Sequence, residues 1–438
     1  MTLPISLRAL GFSSIYSERY SASKDILSFD LYNSCFTSQI EPHISFYQDH
    51  KRLHNCFIAC LRHLHLLLSP SYQAPPPHHQ KVKMVLLQRI SIPDIESSWL
   101  WPRAINPHLA DVDQECNEWA ASFGAFSPAA QRAVDKCKFN LLAGMSYPWM
   151  SKEQLKSGCD LMNLFFIFDE HSDKSSPEEV WDQGRILMDA FRNPDLPRPE
   201  GEWIGGEVAR QFWLRITKIS TKTFQRRFLA AWEEYMHGVA QEAELRARSF
   251  IPDFETYFVL RRATIGTGPS FVLAEIDLDI PDYVRRHPII LELEMLVTDL
   301  VAIVNDIVSY NKEQASNEEE HNLITVIMKE RHMTVQEAID FAGHLHTSKV
   351  DRFNQLYQEL PRWGGPIDLS VQKLIDGIAW WESGNLHWSF ESGRYFGKRG
   401  LEAKMTRSFY LLPKVKGSSM AGHIGPLVIE DHHATVRC

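Results

Sequence analysis

The stretch Asn305-Asp306-Ile307-Val308-Ser309-Tyr310-Asn311-Lys312-Glu313 carries three oxygen-bearing side chains at intervals of four residues. On an α-helix, this spacing places Asn305, Ser309 and Glu313 in one row along one face. The preceding residues 300–304 are all apolar, so we expect the row to emerge from a helix that is otherwise buried. An amide, a hydroxyl and one carboxylate suit Mg²⁺ better than zinc, because Mg²⁺ prefers oxygen ligands and usually shares its shell with water and phosphate. The stretch therefore predicts a buried helix and a metal that binds together with a phosphate.

The composition is that of an ordinary globular protein and excludes several classes. Of 438 residues, 44% are hydrophobic and 23% charged, and the net charge of -9 argues against nucleic acid as the main partner. The longest apolar stretch, residues 289–304, contains three carboxylates, so we expect no membrane span. Seven scattered cysteines do not form a disulfide framework, and the N-terminus lacks the apolar segment of a signal peptide. We therefore expect a reduced, cytoplasmic protein.

The chain divides into three zones by composition. Residues 1–83 are rich in Ser, Tyr, His and Pro, and we interpret them as an N-terminal extension that is disordered or an error of the gene model. The segment Cys56–Leu68 has two cysteines and two histidines, but the spacing favours a short helix with incidental thiols over a zinc site. Residues 84–413 form the predicted folded domain. Residues 414–438 are a loop-like tail, in which His432 and His433 have no partner motif.

Within residues 84–413, apolar residues recur with the period of an α-helix. Residues 153–168 place Leu155, Cys159 and Met162 on one face, and residues 224–247 show the same pattern with charges opposite. Strand signals are scarce, and no repeat of 20–50 residues is present. We therefore predict an all-α fold, a single bundle of ten or more helices.

A second cluster of oxygen ligands is Asp169-Glu170-His171-Ser172-Asp173, directly after the apolar run 164–168. Asp169 and Asp173 are four residues apart, and such a pair taken alone is most often a solvated helix end. The apolar run is also compatible with a buried strand. Together with the Asn305 row, however, the pair suggests two helices that face each other and hold several Mg²⁺ ions between them.

A diphosphate bound to such ions also needs cationic donors. The candidates are Arg261-Arg262, Lys312 and Arg394-Tyr395. Two adjacent arginines usually lie on a solvent-exposed helix surface and bind nothing. Gly266 follows a helical pattern and indicates a break, which either lines a cavity or simply ends a helix.

Aromatic residues flank the aspartate-rich cluster and the Arg394-Tyr395 pair. We expect most of them to be core, and a few to line an apolar pocket whose ring faces stabilise a cation. The sequence has no nucleophile-elbow serine, P-loop, GxGxxG or convincing zinc pattern. The aromatic residues concerned are Phe165, Phe166, Phe168, Trp380, Trp381, Trp388, Phe390 and Phe396.

These residues resemble the motifs of class I terpene cyclases, and specifically of basidiomycete-type sesquiterpene synthases. Residues 169–173 look like the family's aspartate-rich motif, and residues 305–313 match its NDxxSxxKE motif in full. Arg394-Tyr395 looks like the family's C-terminal Arg-Tyr pair. Arg262 falls at the place of its diphosphate-sensing arginine, ahead of the helix-break glycine, Gly266. The resemblance covers residues 84–413 and implies one helical bundle around a central active-site cavity.

The resemblance further implies a function and a role for each matching residue. Three Mg²⁺ ions, replaceable by Mn²⁺, would grip the diphosphate of farnesyl diphosphate, which ionises and cyclises to a sesquiterpene. The metal ligands would be Asp169, Asn305, Ser309, Glu313 and, less often in the family, Asp173. The diphosphate would receive hydrogen bonds from Arg262, Lys312, Arg394 and Tyr395, with Phe165 and Gly266 against the substrate. The implied protein is a monomer or homodimer.

Two rival functions remain open at the level of sequence. A chain-elongating prenyltransferase shares the helical bundle and the magnesium chemistry, but normally carries two aspartate-rich motifs. A non-catalytic helical protein that binds diphosphates is the other.

Overall fold

The predicted helical bundle is present in the computed structural model of the chain, which describes residues 87–414. The first helices are α1 (Leu109–Ser122), α2 (Pro128–Cys137), α3 (Phe139–Ser146), α4 (Lys152–Ser172), α5 (Pro177–Arg192), α6 (Gly205–Ile216) and α7 (Lys222–Ala247). They are followed by α8 (Phe254–Thr264), α9 (Thr267–Leu273), α10 (Asp282–Arg285), α11 (Pro288–Ser316), α12 (Leu323–Arg331), α13 (Val335–Gln358), α14 (Pro366–Glu391) and α15 (Gly400–Thr406). The all-α prediction is therefore confirmed. The features noted in residues 1–83 and in the tail beyond residue 414 lie outside the described residues.

Helix α4 carries the aspartate-rich cluster, and its sequence explains both its start and its burial. The Ser151 hydroxyl accepts from the Gln154 backbone N–H, and the Gln154 side-chain oxygen accepts from the Ser151 backbone N–H, which satisfies two otherwise free donors at the N-terminus. Leu155, Cys159 and Met162 are buried as the periodicity predicts. The apolar run 164–168 continues this helix and is not a strand. The two aspartates therefore lie at the helix C-terminus.

Helix α11 carries the Asn305 row and passes through the centre of the bundle. Pro288 occupies its first turn, and Asn317 ends it with a left-handed backbone (φ 61°). Residues 296–304 are buried throughout, since α11 packs against both α13 and α14. A helical segment that is buried on all sides is typical of a bundle core. The predicted buried helix with an emerging polar row is confirmed.

Gly266 separates α8 from α9. Its backbone is left-handed (φ 79°), a conformation that glycine adopts without the cost borne by other residues. A close approach at Gly238 lets α8 pack against α7, because a Cβ there would lie 2.6 Å from the Cβ of Ala263. The predicted break therefore exists and turns the chain at the centre of the bundle.

Two short strands join the two ends of the described chain. Strands β1 (Arg89–Ser91) and β2 (Ser408–Tyr410) pair antiparallel, with Ile90 opposite Phe409 and both side chains buried. Three-residue strands leave almost no signal in a sequence. Within residues 87–414, no helix is both long and apolar enough to cross a membrane.

Candidate active site

A cavity of about 300 Å³ opens among the helices that carry the sequence motifs. On α4, α7 and α11 the lining begins with apolar or aromatic residues and becomes polar or charged toward the C-terminus of each helix. On α4, Met162 and Phe165 precede Asp169, and on α11, Val301 precedes Asn305. The cavity therefore has an apolar interior and a charged end.

The aspartates of α4 lie in this cavity, while the glutamate between them turns away. Asp169 and Asp173 line the cavity, whereas Glu170 is buried with its Oε1 at 3.2 Å from Nη1 of Arg394. Nη2 of Arg394 lies 3.5 Å from Oδ2 of Asp169. The Asp173 side chain is 51% exposed, with Arg246 at 3.5 Å.

The electrostatics of this acidic pair favour a cation. The pKa of Asp173 is raised by desolvation and by the negative charge of Asp169; because half of the side chain is exposed, the repulsion from Asp169 is the firmer of the two causes. Desolvation also raises the pKa of Asp169, and Arg394 opposes this shift. Because like charges repel, both ionised carboxylates would gain from a metal ion placed against them.

The row on α11 is held in place by hydrogen bonds from three other elements. Oδ1 of Asn305 accepts from Nη2 of Arg261 at 2.8 Å, and its Nδ2 donates to the Tyr395 hydroxyl at 2.9 Å. Ser309 Oγ and Glu313 Oε2 both accept from Nδ2 of Asn322, at 3.2 and 2.9 Å. The three predicted ligands therefore share one face, as their spacing requires. Asn305 and Glu313 line the cavity, whereas Ser309 is buried between them and does not line it.

The donor set fits magnesium bound with an anion. In the part of the chain that the structure describes, no three His, Cys, Asp or Glu side chains form a metal site by themselves. A cation here would need the neutral oxygens of Asn305 and Ser309, and further oxygens from a ligand. Arg261 and Arg394 each keep a buried Nε–H without a partner, which is suited to an anion in the same cavity.

Arg262 is not brought to the cavity. Its guanidinium forms two hydrogen bonds with the buried carboxylate of Asp299, at 2.7 and 2.9 Å, and Lys349 completes that cluster at 2.7 Å. Arg261 lines the cavity instead and contacts Asn305. The placement of the cavity arginine at Arg262 is therefore corrected to Arg261. Adjacent helical residues point about 100° apart, and the sequence did not show which one faces inward.

The remaining predicted donors do meet at the charged end. Lys312, Arg394 and Tyr395 all line the cavity, although the last two lie on the loop after α14. The Arg394 guanidinium lies 4.7 Å from the centre of the Phe166 ring, an arrangement that stabilises a buried cation. The Arg-Tyr pair and the α11 row are therefore parts of one site.

Aromatic side chains form the apolar wall. Phe165 stacks on Trp232 at 4.8 Å and meets Tyr235 edge-on at 5.1 Å, while Phe166 stacks on Phe139 at 3.5 Å. Gly266 lies against Phe165, since a Cβ on it would come within 3.5 Å of the ring. Trp381 and Trp388 also line the cavity. Other flanking rings are core, as expected: Phe168 packs on Trp203, and Phe390 stacks on Phe396.

Sequence reasoning missed several residues that complete the site. Asp306 accepts hydrogen bonds from Tyr257 and Arg261, and Asn322 holds two of the predicted ligands. Glu242 lines the charged end from α7. Asp306 stood inside the quoted stretch as a possible signal, but Asn322 belongs to no spacing pattern that could have singled it out.

Comparison with known proteins decides the family. Residues 160–352 match the model described as terpene synthase family 2, C-terminal metal binding. The chain is 46% identical over 346 residues to a Delta(6)-protoilludene synthase of Stereum hirsutum, covering 78% of this chain and 92% of the relative. A Delta(6)-protoilludene synthase of Armillaria gallica is also 46% identical over 346 residues, covering 79% and 99%. The chain belongs to the terpene synthase family.

The terpene synthase fold agrees with these relatives. The solved structure of germacradien-4-ol synthase from Streptomyces citricolor is 26% identical and superposes with a TM-score of 0.58, covering 66% of this chain and 96% of that one. The resemblance to a fungal class I terpene cyclase is therefore confirmed, and the enzyme is a sesquiterpene synthase.

Proposed function

We propose that this terpene synthase binds farnesyl diphosphate with Mg²⁺, ionises it and cyclises the resulting cation to a sesquiterpene. The observation that carries the proposal is the polarity of the cavity. Oxygen ligands from α4 and α11 and the arginines Arg261 and Arg394 lie at one end, and aromatic rings form the wall. A prenyl diphosphate has the same division, with a charged head and an apolar chain.

The metal would be held between the two helices. Asp169, with Asp173 as a further candidate, would bind from α4, and Asn305, Ser309 and Glu313 from α11. When bound, Mg²⁺ would act as a Lewis acid that stabilises the departing diphosphate. Three ions are proposed, as the family resemblance implies, with Mn²⁺ as a substitute.

The chain's own donors would orient the diphosphate. Arg261 and Arg394 offer planar guanidinium groups with unpartnered N–H donors, and Lys312 adds a point charge. Tyr395 lies at hydrogen-bond distance from Asn305 and would join the donors as the complex closes. Arg262 has no part in this proposal, since its guanidinium is held by Asp299.

The aromatic wall would handle the reactive hydrocarbon. The rings of Phe165 and Phe166 present π-faces or edges that stabilise a passing cation, and a closed, dry cavity protects the cation from water. A volume of about 300 Å³ lies within the range of small-molecule sites. The names of the relatives make Delta(6)-protoilludene the first product to look for.

The proposal is tested by measuring release of inorganic diphosphate from farnesyl diphosphate, with Mg²⁺ or with a chelator. We expect release only with Mg²⁺, and at least a 100-fold loss in Asp169→Asn with the fold retained. An arm containing isopentenyl diphosphate separates the prenyltransferase, which would make elongated diphosphates. No release under any condition would support the non-catalytic alternative. The cytoplasmic location and the monomeric or dimeric state stay predictions from the sequence.

A further inference from the structure

We propose that Asn322 is a positioning residue for the metal ligands Ser309 and Glu313. This inference rests on the proposed function, because it assumes that the α11 row binds a cation. Asn322 is fully buried on the loop between α11 and α12. It touches neither end of the cavity, and reaches the site only through the two ligands.

The orientation of the Asn322 amide is set by all of its neighbours. Its Oδ1 accepts from the backbone N–H of Ile324 at 2.9 Å and so caps the N-terminus of α12. Its Nδ2 faces acceptors only: the carbonyl of Asp306 at 3.0 Å, Ser309 Oγ at 3.2 Å and Glu313 Oε2 at 2.9 Å. An amide flip would set two donors against each other at Ile324 and two acceptors against each other at the Asp306 carbonyl and the Glu313 carboxylate, so the hydrogen-bond network assigns this orientation.

The consequence for Glu313 is a carboxylate with one oxygen held by a neutral donor, since its Oε2 accepts from the Asn322 amide at 2.9 Å. Asn322 supplies a donor that carries no charge. A lysine or arginine here would compete with the metal, whereas an amide holds one oxygen of the carboxylate and leaves the negative charge available for a cation.

The same amide links Ser309 to Glu313. One nitrogen donates to both side chains, which sit one helical turn apart, and so restrains the position of both oxygens. Partners that orient metal ligands in this way typically change metal affinity about 10–100-fold when removed. We therefore expect Asn322 to set the Mg²⁺ requirement of the enzyme without contacting metal or substrate.

The experiment separates orientation of the ligands from capping of α12. Serine at position 322 retains a capping oxygen but has no amide to reach both ligands, and alanine lacks both functions. Binding of inorganic diphosphate is measured by calorimetry across a Mg²⁺ series, without turnover. We expect half-maximal binding of diphosphate to need about 10–100-fold more Mg²⁺ in Asn322→Ser and in Asn322→Ala than in wild type. The factor should be similar in the two variants.

Thr334→Ala is the matched control, because Thr334 caps the N-terminus of the next helix, α13, outside the cavity. It should lower the melting temperature and leave the Mg²⁺ series unchanged. Wild-type Mg²⁺ dependence in Asn322→Ser would overturn the inference, as would an equal shift in Thr334→Ala. If wild type itself binds no diphosphate with Mg²⁺, the proposed function fails first, and the two failures are distinguished.

Discussion

Exchanging each member of the Arg261-Arg262 pair for lysine tests the assignment of the diphosphate-binding arginine. The two residues are adjacent, but their surroundings differ. Arg261 contacts Asn305 and the buried Asp306 in the cavity, and its Nε–H has no partner. Arg262 is 34% exposed and forms an ion pair with Asp299, which forms a second ion pair with Lys349. Lysine preserves the charge at either position and removes only the planar set of donors.

The magnitudes follow from these contacts. In the proposed complex, Arg261 donates at least two charge-assisted hydrogen bonds to the diphosphate, each contributing about 1.5–3 kcal/mol, so turnover in Arg261→Lys should fall by about 100-fold or more. Its stability should fall by only about 1–2 kcal/mol, since Asp306 keeps Tyr257 and the Leu323 N–H as donors. Arg262→Lys should cost about 1–3 kcal/mol of stability, because one hydrogen bond to the buried Asp299 carboxylate is lost while Lys349 keeps its own. Its turnover should stay within about threefold, because Arg262 does not line the cavity.

The assay measures the steady-state rate per folded enzyme, with the folded fraction fixed by thermal unfolding of the same preparations. The expected result is a large loss of turnover in Arg261→Lys and a near-normal rate in Arg262→Lys. The reverse order would show that Arg262 is the diphosphate-binding residue, as the sequence resemblance implied. Equal rates in both variants would remove Arg261 from the mechanism.

Four further predictions follow from the site and its surroundings. Arg394→Lys should reduce turnover at least tenfold, because the planar set of donors is lost. Tyr395→Phe should have a milder effect on turnover and shift the products toward alcohols, which form when water quenches the cation early. Wild-type rates and products in both variants would show that the pair is structural. Asn305→Ala should lower turnover by far more than it lowers the melting temperature, and preserved turnover with a large fall in melting temperature would contradict its role as a ligand. Burial lowers the pKa of His387 from 6.5 to about 4, so its contribution to stability is complete above about pH 6.5 and falls by about 2 kcal/mol on acidification to pH 5. The melting temperature should therefore decline less over this range in His387→Gln than in wild type. An equal decline in both proteins would contradict the pKa shift. A chain shortened to begin at Met84 should keep its fold and turnover, and loss of activity on that truncation alone would move the domain boundary.

The sequence predicted those parts of the site that depend on spacing within one helix. Asn305, Ser309 and Glu313 share a face because four residues make about one helical turn, and the structure places them so. Gly266 indicates a break because it follows a helical pattern, and the structure shows the left-handed backbone that glycine tolerates there. Both features are local, so no knowledge of neighbouring helices was needed.

The features that the sequence could not supply depend on how helices rotate against each other. Whether Arg261 or Arg262 faces the cavity is decided by the packing of α8 against α7 and α11. The turn of Glu170 toward Arg394 joins residues more than two hundred positions apart. Asn322 acquires its role only when the loop after α11 folds back onto that helix.

The most direct measurement of the central claim is gas chromatography with mass spectrometry of purified enzyme incubated with farnesyl diphosphate and Mg²⁺, alongside a chelator control. The account predicts a cyclic sesquiterpene, with Delta(6)-protoilludene as the first candidate, formed in step with inorganic diphosphate and absent when Mg²⁺ is removed. A product that forms equally well in the chelator, or farnesyl diphosphate recovered unchanged in the presence of Mg²⁺, would contradict it.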